Sequence, residues 1–172
     1  MLPLLGKSSG KSSSRTGEVI DAKWDEIDLE KTLWTIPAER MKSGIEQRVP
    51  LVGLAVKIIK QLAIITRKDW VFAGKGQKPI SNAAMDGLLG RMKRTGITVH
   101  GFRSAFSDWV SEQTSFSSET REQCLAHQIS DKAEADYRRG DQLDKRRKLL
   151  EAWAAYALPT SADQTNVIQL SG

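Results

Sequence analysis

Short β-prone runs dominate the first third of the chain, and helical spacing takes over after it. Leu33-Trp34-Thr35-Ile36-Pro37 and Gln47-Arg48-Val49-Pro50-Leu51 are bounded by turn residues and read as two strands. ERMKSGIE lies between them, with Ser43-Gly44 as the turn signal, so a small antiparallel sheet is expected. Upstream, RTGEVIDAKWDEIDLE reads as a turn leading into a short helix and an extended segment. From Gly53 onward Leu54, Ile58, Leu62 and Ile65 recur at helical spacing. Trp70-Val71-Phe72 is a short extended piece, and the Gly/Lys/Pro run through Pro79 is a loop. Ser81 stands where it can cap a helix reaching about Arg94.

Four further helices are expected downstream. In HGFRSAFSDWVSEQ, Phe102, Phe106, Trp109 and Val110 share one apolar face. Glu119 to Ala126 forms a short helix, and Ser130-Asp131 can cap another that carries Tyr137. The last, Leu143 to Ala157, places Leu143, Leu150, Trp153 and Ala157 on a stripe, with KRRK (Lys145 to Lys148) as a solvated opposite face. Pro159 ends it. The fold class is therefore α+β, mainly α-helical, with the sheet near the N-terminus. Residues 1–14, which contain KSSGKSSS, read as a flexible segment, residues 15–158 as the domain, and 159–172 as a polar tail. Within that tail Val167-Ile168-Gln169-Leu170 can form an edge strand. There is no internal repeat.

Composition narrows the function classes. A chain of 172 residues, 40% hydrophobic and 27% charged, fits one domain with a real core. The net charge of +5 and pI of about 9.4 suggest a polyanionic partner. One cysteine, Cys124, excludes an internal disulfide and a Cys-rich zinc site; beside Leu125 and Ala126 it reads as a buried structural thiol. No apolar run approaches the ~20 residues that span a bilayer, so no membrane partner is expected. MLPLLG is too short for a signal peptide and lacks a basic lead. The expected compartment is the cytoplasm.

The residues able to handle phosphate are Arg15, Lys42, His100, Arg103, His127 and Tyr137. A tyrosine hydroxyl can attack a phosphodiester and hold the phosphate covalently. Arginine neutralises the added charge through aligned N–H donors, and lysine or histidine can protonate the leaving oxygen. This set needs no metal or other cofactor, and no acidic cluster stands at metal-ligand spacing to favour a two-metal nuclease. Taken singly, each residue has an ordinary reading. A lone histidine is more often core or surface, and Tyr137 can be a surface tyrosine like Tyr156. Lys42 shares its hairpin with Arg40 and Arg48, and most hairpin lysines face solvent.

The order of the boxes resembles the catalytic domain of tyrosine recombinases, or phage integrases, closest to those of prophages and genomic islands. RTGE is similar to the first arginine box, with Arg15. WTIPAERMKSGIEQRVPL is similar to the family's β-hairpin, with Lys42. HGFR matches the His-x-x-Arg box (His100, Arg103), LAH the next box (His127), and Tyr137 falls where the nucleophile is expected. The likeness runs from about Arg15 to Ala157. It implies the tyrosine-recombinase catalytic fold. It also implies attack by Tyr137 to give a 3′-phosphotyrosyl link and a free 5′ hydroxyl. Arg15 and Arg103 clamp the non-bridging oxygens, Lys42 protonates the leaving oxygen, His100 assists proton transfer and His127 hydrogen-bonds the phosphate. The implied partners are double-stranded DNA at attachment sites and further copies of the full-length protein in a tetramer on that DNA, in the bacterial nucleoid.

The family places apolar helices and a core-binding domain before the first arginine box. Here that stretch is short and Ser/Lys-rich, so a catalytic-domain segment with weak DNA affinity is expected. The alternatives are an integrase remnant that binds DNA without chemistry, a type IB topoisomerase-like enzyme, and a basic helix-turn-helix regulator. The hairpin and LAH box argue against the topoisomerase. The placement of His, Arg and Tyr argues against the regulator.

Overall fold

The computed structural model describes residues 14–65, 69–74, 76, 78–94, 96–126 and 140–157. The described helices are α1 (Ser14–Ile20), α2 (Gly53–Ile65), α3 (Asn82–Arg91), α4 (Val99–Gln113), α5 (Ser118–Cys124) and α6 (Leu143–Ala157). The strands are β1 (Ile27–Asp28), β2 (Leu33–Ile36) and β3 (Gln47–Pro50), joined in the antiparallel order β1-β2-β3. Trp34 lies opposite Val49 and Ile36 opposite Gln47. The predicted pair of strands is present, and β1 adds a third. RTGE, expected as a turn, lies inside α1. The connection from β2 to β3 contains a single 3-10 turn, Ala38–Arg40, and then bends at Gly44. Gly44 has φ +66, a left-handed conformation that glycine adopts without a Cβ clash.

Two apolar clusters form the core. Val19, Ala22, Trp34, Ile36, Met41, Val49, Leu51, Ile59 and Val71 bury the inner face of the sheet under α1 and α2. Phe106, Trp109, Val110, Cys124, Leu125, Leu149, Leu150 and Trp153 join α4, α5 and α6. The Trp153 ring meets Phe106 edge-on at 5.5 Å and Trp109 at 5.3 Å, separations at which aromatic pairs attract beyond their buried area. An apolar cavity of about 60 Å³ lies where the clusters meet, between Leu51, Ile59, Val71, Leu150 and Trp153.

Packing shifts two of the predicted stripes. On α2 the buried residues are Ala55 and Ile59, whereas Leu54 is 43% and Ile65 75% exposed. The helix turns the row Ala55, Ile59, Leu62 toward the sheet, so the run Leu54, Ile58, Leu62, Ile65 is only partly covered. On α6 the buried residues are Arg146, Leu149, Leu150 and Trp153; Ala157 is exposed.

Helix ends follow local chemistry. Thr98 Oγ1 accepts the Gly101 N–H at 3.0 Å and starts α4. Ser117 Oγ accepts the Thr120 N–H at 3.2 Å and starts α5, earlier than the predicted Glu119. Ser81 occupies the cap position of α3, but its side chain makes no capping bond. α3 stops at Arg91, short of the predicted Arg94, and Lys93 follows in a left-handed conformation. Trp70-Val71-Phe72 forms an isolated bridge, Lys23 to Trp70, rather than a strand of the sheet. The predicted helix at Ser130-Asp131, the Val167–Leu170 edge strand and the flexible start of the chain lie outside the described residues. No described helix is long and apolar enough to cross a membrane.

Candidate functional site: a buried arginine between α4 and α5

Arg103 sits in the second turn of α4 with 6% of its surface exposed. Its Nη2 donates to the Leu125 carbonyl at 2.6 Å. That acceptor exists because α5 ends at Cys124. Leu125 is its C-cap and Ala126 follows at φ +49, so the helix stops here and the Leu125 carbonyl is available to a side chain. One bond thus ties the HGFR box to the LAH box. The other terminal nitrogen, Nη1, is buried with no hydrogen-bond partner among the described residues. A buried, charged donor left open is costly, and it is rare in a finished core. It is a ready partner for an anion.

The hairpin carries further cationic groups. Three of its residues are cationic, and two are committed. Arg40 donates to the Glu26 carboxylate and to the Glu18 carbonyl. Arg48 pairs with Asp141 at 3.1 Å. Lys42 is exposed beside the Gly44 bend and has no hydrogen bond or ion pair among the described residues. β3 also reaches toward the LAH corner, where Gln47 Nε2 donates to the Gln123 carbonyl at 3.1 Å. Gln123 stands four positions before His127 and Asp141 four after Tyr137. Neighbouring β3 side chains therefore hold the chain on both sides of residues 127–139.

Of the predicted site residues, Arg103 and Lys42 are described in full. Arg15 lies in the first turn of α1 and His100 in the first turn of α4, by backbone position. His127 and Tyr137 lie outside the described residues. Among the described residues, no group of three or more His, Cys, Asp and Glu is placed to hold a metal ion.

The sequence reading missed several polar residues. KRRK is not a uniformly solvated face. Lys145 and Lys148 are exposed, but Arg146 is 2% exposed and lies beside the Cys124 thiol, with Nη1 on the Asp141 carbonyl at 3.3 Å. Arg147 crosses to the sheet, where Nη1 bonds Thr32 Oγ1 at 2.8 Å and Nη2 bonds the Lys31 carbonyl at 3.2 Å. The helix turns these two arginines inward because α6 lies against both α5 and the sheet. No spacing signal separates them from the flanking lysines. Burial pushes the Cys124 thiol up to about 11, partly offset by the Arg146 charge. It stays protonated at neutral pH, as a structural thiol should.

The sequence profile of the phage integrase family matches residues 11–142. The chain belongs to that family. This integrase chain is 31% identical over 159 residues to prophage integrase IntA of Escherichia coli K12, a match that covers 90% of the chain and 38% of IntA. It is 31% identical over 161 residues to the integrase of enterobacteria phage P4, covering 83% of the chain and 37% of that protein. The chain thus spans well under half the length of these relatives. Among solved structures, the integrase from mycobacterium phage Brujita superposes with TM-score 0.60 at 22% identity, over 80% of this chain and 46% of that one. XerA recombinase superposes with TM-score 0.54 at 15% identity, over 84% and 53%. The integrase chain therefore has the expected tyrosine-recombinase catalytic fold, mostly helical with a small antiparallel sheet near its N-terminus.

Proposed function

We propose that residues 15–158 form the catalytic domain of a site-specific DNA recombinase that cuts and rejoins strands through a 3′-phosphotyrosine at Tyr137. The observation that carries this reading is the open Nη1 of buried Arg103, held in place by the Nη2 bond to Leu125. A scissile phosphate supplies the missing acceptor. The exposed, uncommitted Lys42 supports it, because the leaving oxygen needs a proton donor that is not already bound in the fold.

In this mechanism the Tyr137 oxygen attacks phosphorus and the bond to the 5′ oxygen breaks. Arg103 and Arg15 neutralise the charge that builds on the non-bridging oxygens. Lys42 protonates the departing 5′ oxygen, His100 assists transfer of the tyrosine proton, and His127 hydrogen-bonds the phosphate. The phosphotyrosyl ester conserves the energy of the broken bond, so a 5′ hydroxyl from another strand can reverse the step without ATP or a metal. The substrate is double-stranded DNA at attachment sites, for integration or excision of a mobile element. The full-length protein acts as a tetramer in the bacterial cytoplasm.

The test is covalent trapping. The protein is incubated with duplexes nicked beside the candidate cleavage site, so that the cut strand cannot rejoin. A protein–DNA band on a denaturing gel is expected for the native chain and is absent for Tyr137→Phe. A band that persists in Tyr137→Phe sinks the nucleophile assignment. Binding without any band favours a DNA-binding remnant.

A further inference from the structure

Arg40 is the one hairpin arginine that grips another helix by its end. α1 has seven residues, too few to be stable alone, so its position depends on tertiary ties. At its end Asp21 N–H bonds the Gly17 carbonyl and Ala22 N–H bonds the Val19 carbonyl, and the Glu18 carbonyl between them faces the hairpin. Arg40 Nη2 donates to that carbonyl at 2.6 Å. A cation at a helix C-terminus also opposes the partial negative charge of the peptide dipoles.

Arg40 is itself locked. Its Nη1 bonds the Glu26 carboxylate, whose side chain is 7% exposed. Glu26 is fixed in turn by Trp34 Nε1 at 3.0 Å and by the Lys23 N–H at 3.4 Å. Trp34 is a buried member of β2. A guanidinium can serve two acceptors in one plane, which a lysine ammonium cannot reproduce. The resulting chain of contacts runs from the sheet through Glu26 and Arg40 to Glu18, one helical turn beyond Arg15. Lys42 stands two residues after Arg40 on the same connection.

We propose that Arg40 is a positioning residue that clamps α1 to the hairpin, so that Arg15 and Lys42 are presented to one phosphate. This rests on the recombinase reading above. Arg40 itself touches neither the DNA nor the reacting atoms. Its loss lets α1 shift by a fraction of a helical turn, and misplacement on the scale of 1 Å is enough to slow a reaction about a hundredfold.

Two variants test the clamp. Arg40→Lys keeps a charge for Glu26 but gives up the second bond. The double variant Arg40→Met with Glu26→Gln removes both charges together and avoids a stranded carboxylate. Hydrogen exchange of the α1 amides is measured first and needs no activity. Both variants are expected to exchange faster in α1 while α4 to α6 stay as in the native chain. Unchanged α1 exchange overturns the clamp. Single-turnover cleavage of the nicked duplex is then expected to fall about tenfold to a hundredfold, with the dissociation constant for DNA within about twofold. A native cleavage rate in either variant overturns the positioning role.

A duplex carrying a methylphosphonate at the scissile position separates positioning from general loosening. It has no non-bridging charge for Arg15 to neutralise, so the gap between native and variant rates should narrow on it. An equal deficit on both duplexes rules out action through Arg15. If the native chain itself forms no Tyr137-dependent adduct, the recombinase reading fails and the positioning role fails with it, whereas the exchange result still stands for the clamp.

Discussion

Replacing Arg103 with methionine separates an anion site from a structural arginine. Met fills a similar volume without a charge. Removing the guanidinium strands the Leu125 carbonyl, a loss of about 1–3 kcal/mol for an unpaired buried acceptor. It also removes the buried, open Nη1, a relief of similar size, and the desolvation of a buried charge, which costs several kcal/mol. The opposing terms leave the fold within about 1.5 kcal/mol of native stability, or above it. For a chain of this length, 1 kcal/mol moves the midpoint by about 2–4 °C, so a drop of no more than about 6 °C is expected. Cleavage should respond quite differently, because losing one preorganised donor to a developing oxyanion slows a reaction about 10²–10³-fold. Urea unfolding followed by tryptophan fluorescence gives the first quantity, and trapping on nicked duplex gives the second. Inorganic phosphate offers a third readout, since it should raise the midpoint of the native protein more than that of the variant. A loss above about 3 kcal/mol with phosphate sensitivity retained refutes the reasoning, and so does undiminished cleavage.

The remaining predictions concern the frame around the site. Leu149→Ala empties a position with 0% exposure between α4, α5 and α6. It should cost about 3 kcal/mol, read as a drop of about 6–12 °C by calorimetry. Arg147→Ala removes bonds to Thr32, Lys31 and Leu51 and should cost about 1.5–3 kcal/mol in urea titrations. Lysine at that position should recover little, lacking the fork. Cys124, raised from 9.0 to about 11 by burial, favours the folded state fully below pH 9. That contribution is lost as pH rises from 9 to about 11, because the unfolded thiol ionises first. Cys124→Ala should therefore flatten the stability profile over that window, and alkylation of the native thiol should stay slow at pH 7–8.

The sequence by itself located the hairpin, the helices at Phe106 and Trp153, and the family to which the boxes belong. These depend on local causes: period, turn residues and caps act within a few positions along the chain. It also showed Cys124 as an inert buried thiol, because its immediate neighbours are apolar. What it could not distinguish were the arginines. Arg40, Arg48, Arg103, Arg146 and Arg147 look alike as residues, yet one grips a helix end and another makes a surface pair. Arg103 and Arg146 each keep a buried open donor, and Arg146 lies beside a thiol. Their partners stand 14, 22, 93 and 115 positions away in the chain for Glu26, Leu125, Asp141 and Thr32. The stripe on α2 likewise depended on the angle at which that helix meets the sheet. Only when the chain folds do such distant groups approach, and burial then decides which charges are bound within the scaffold.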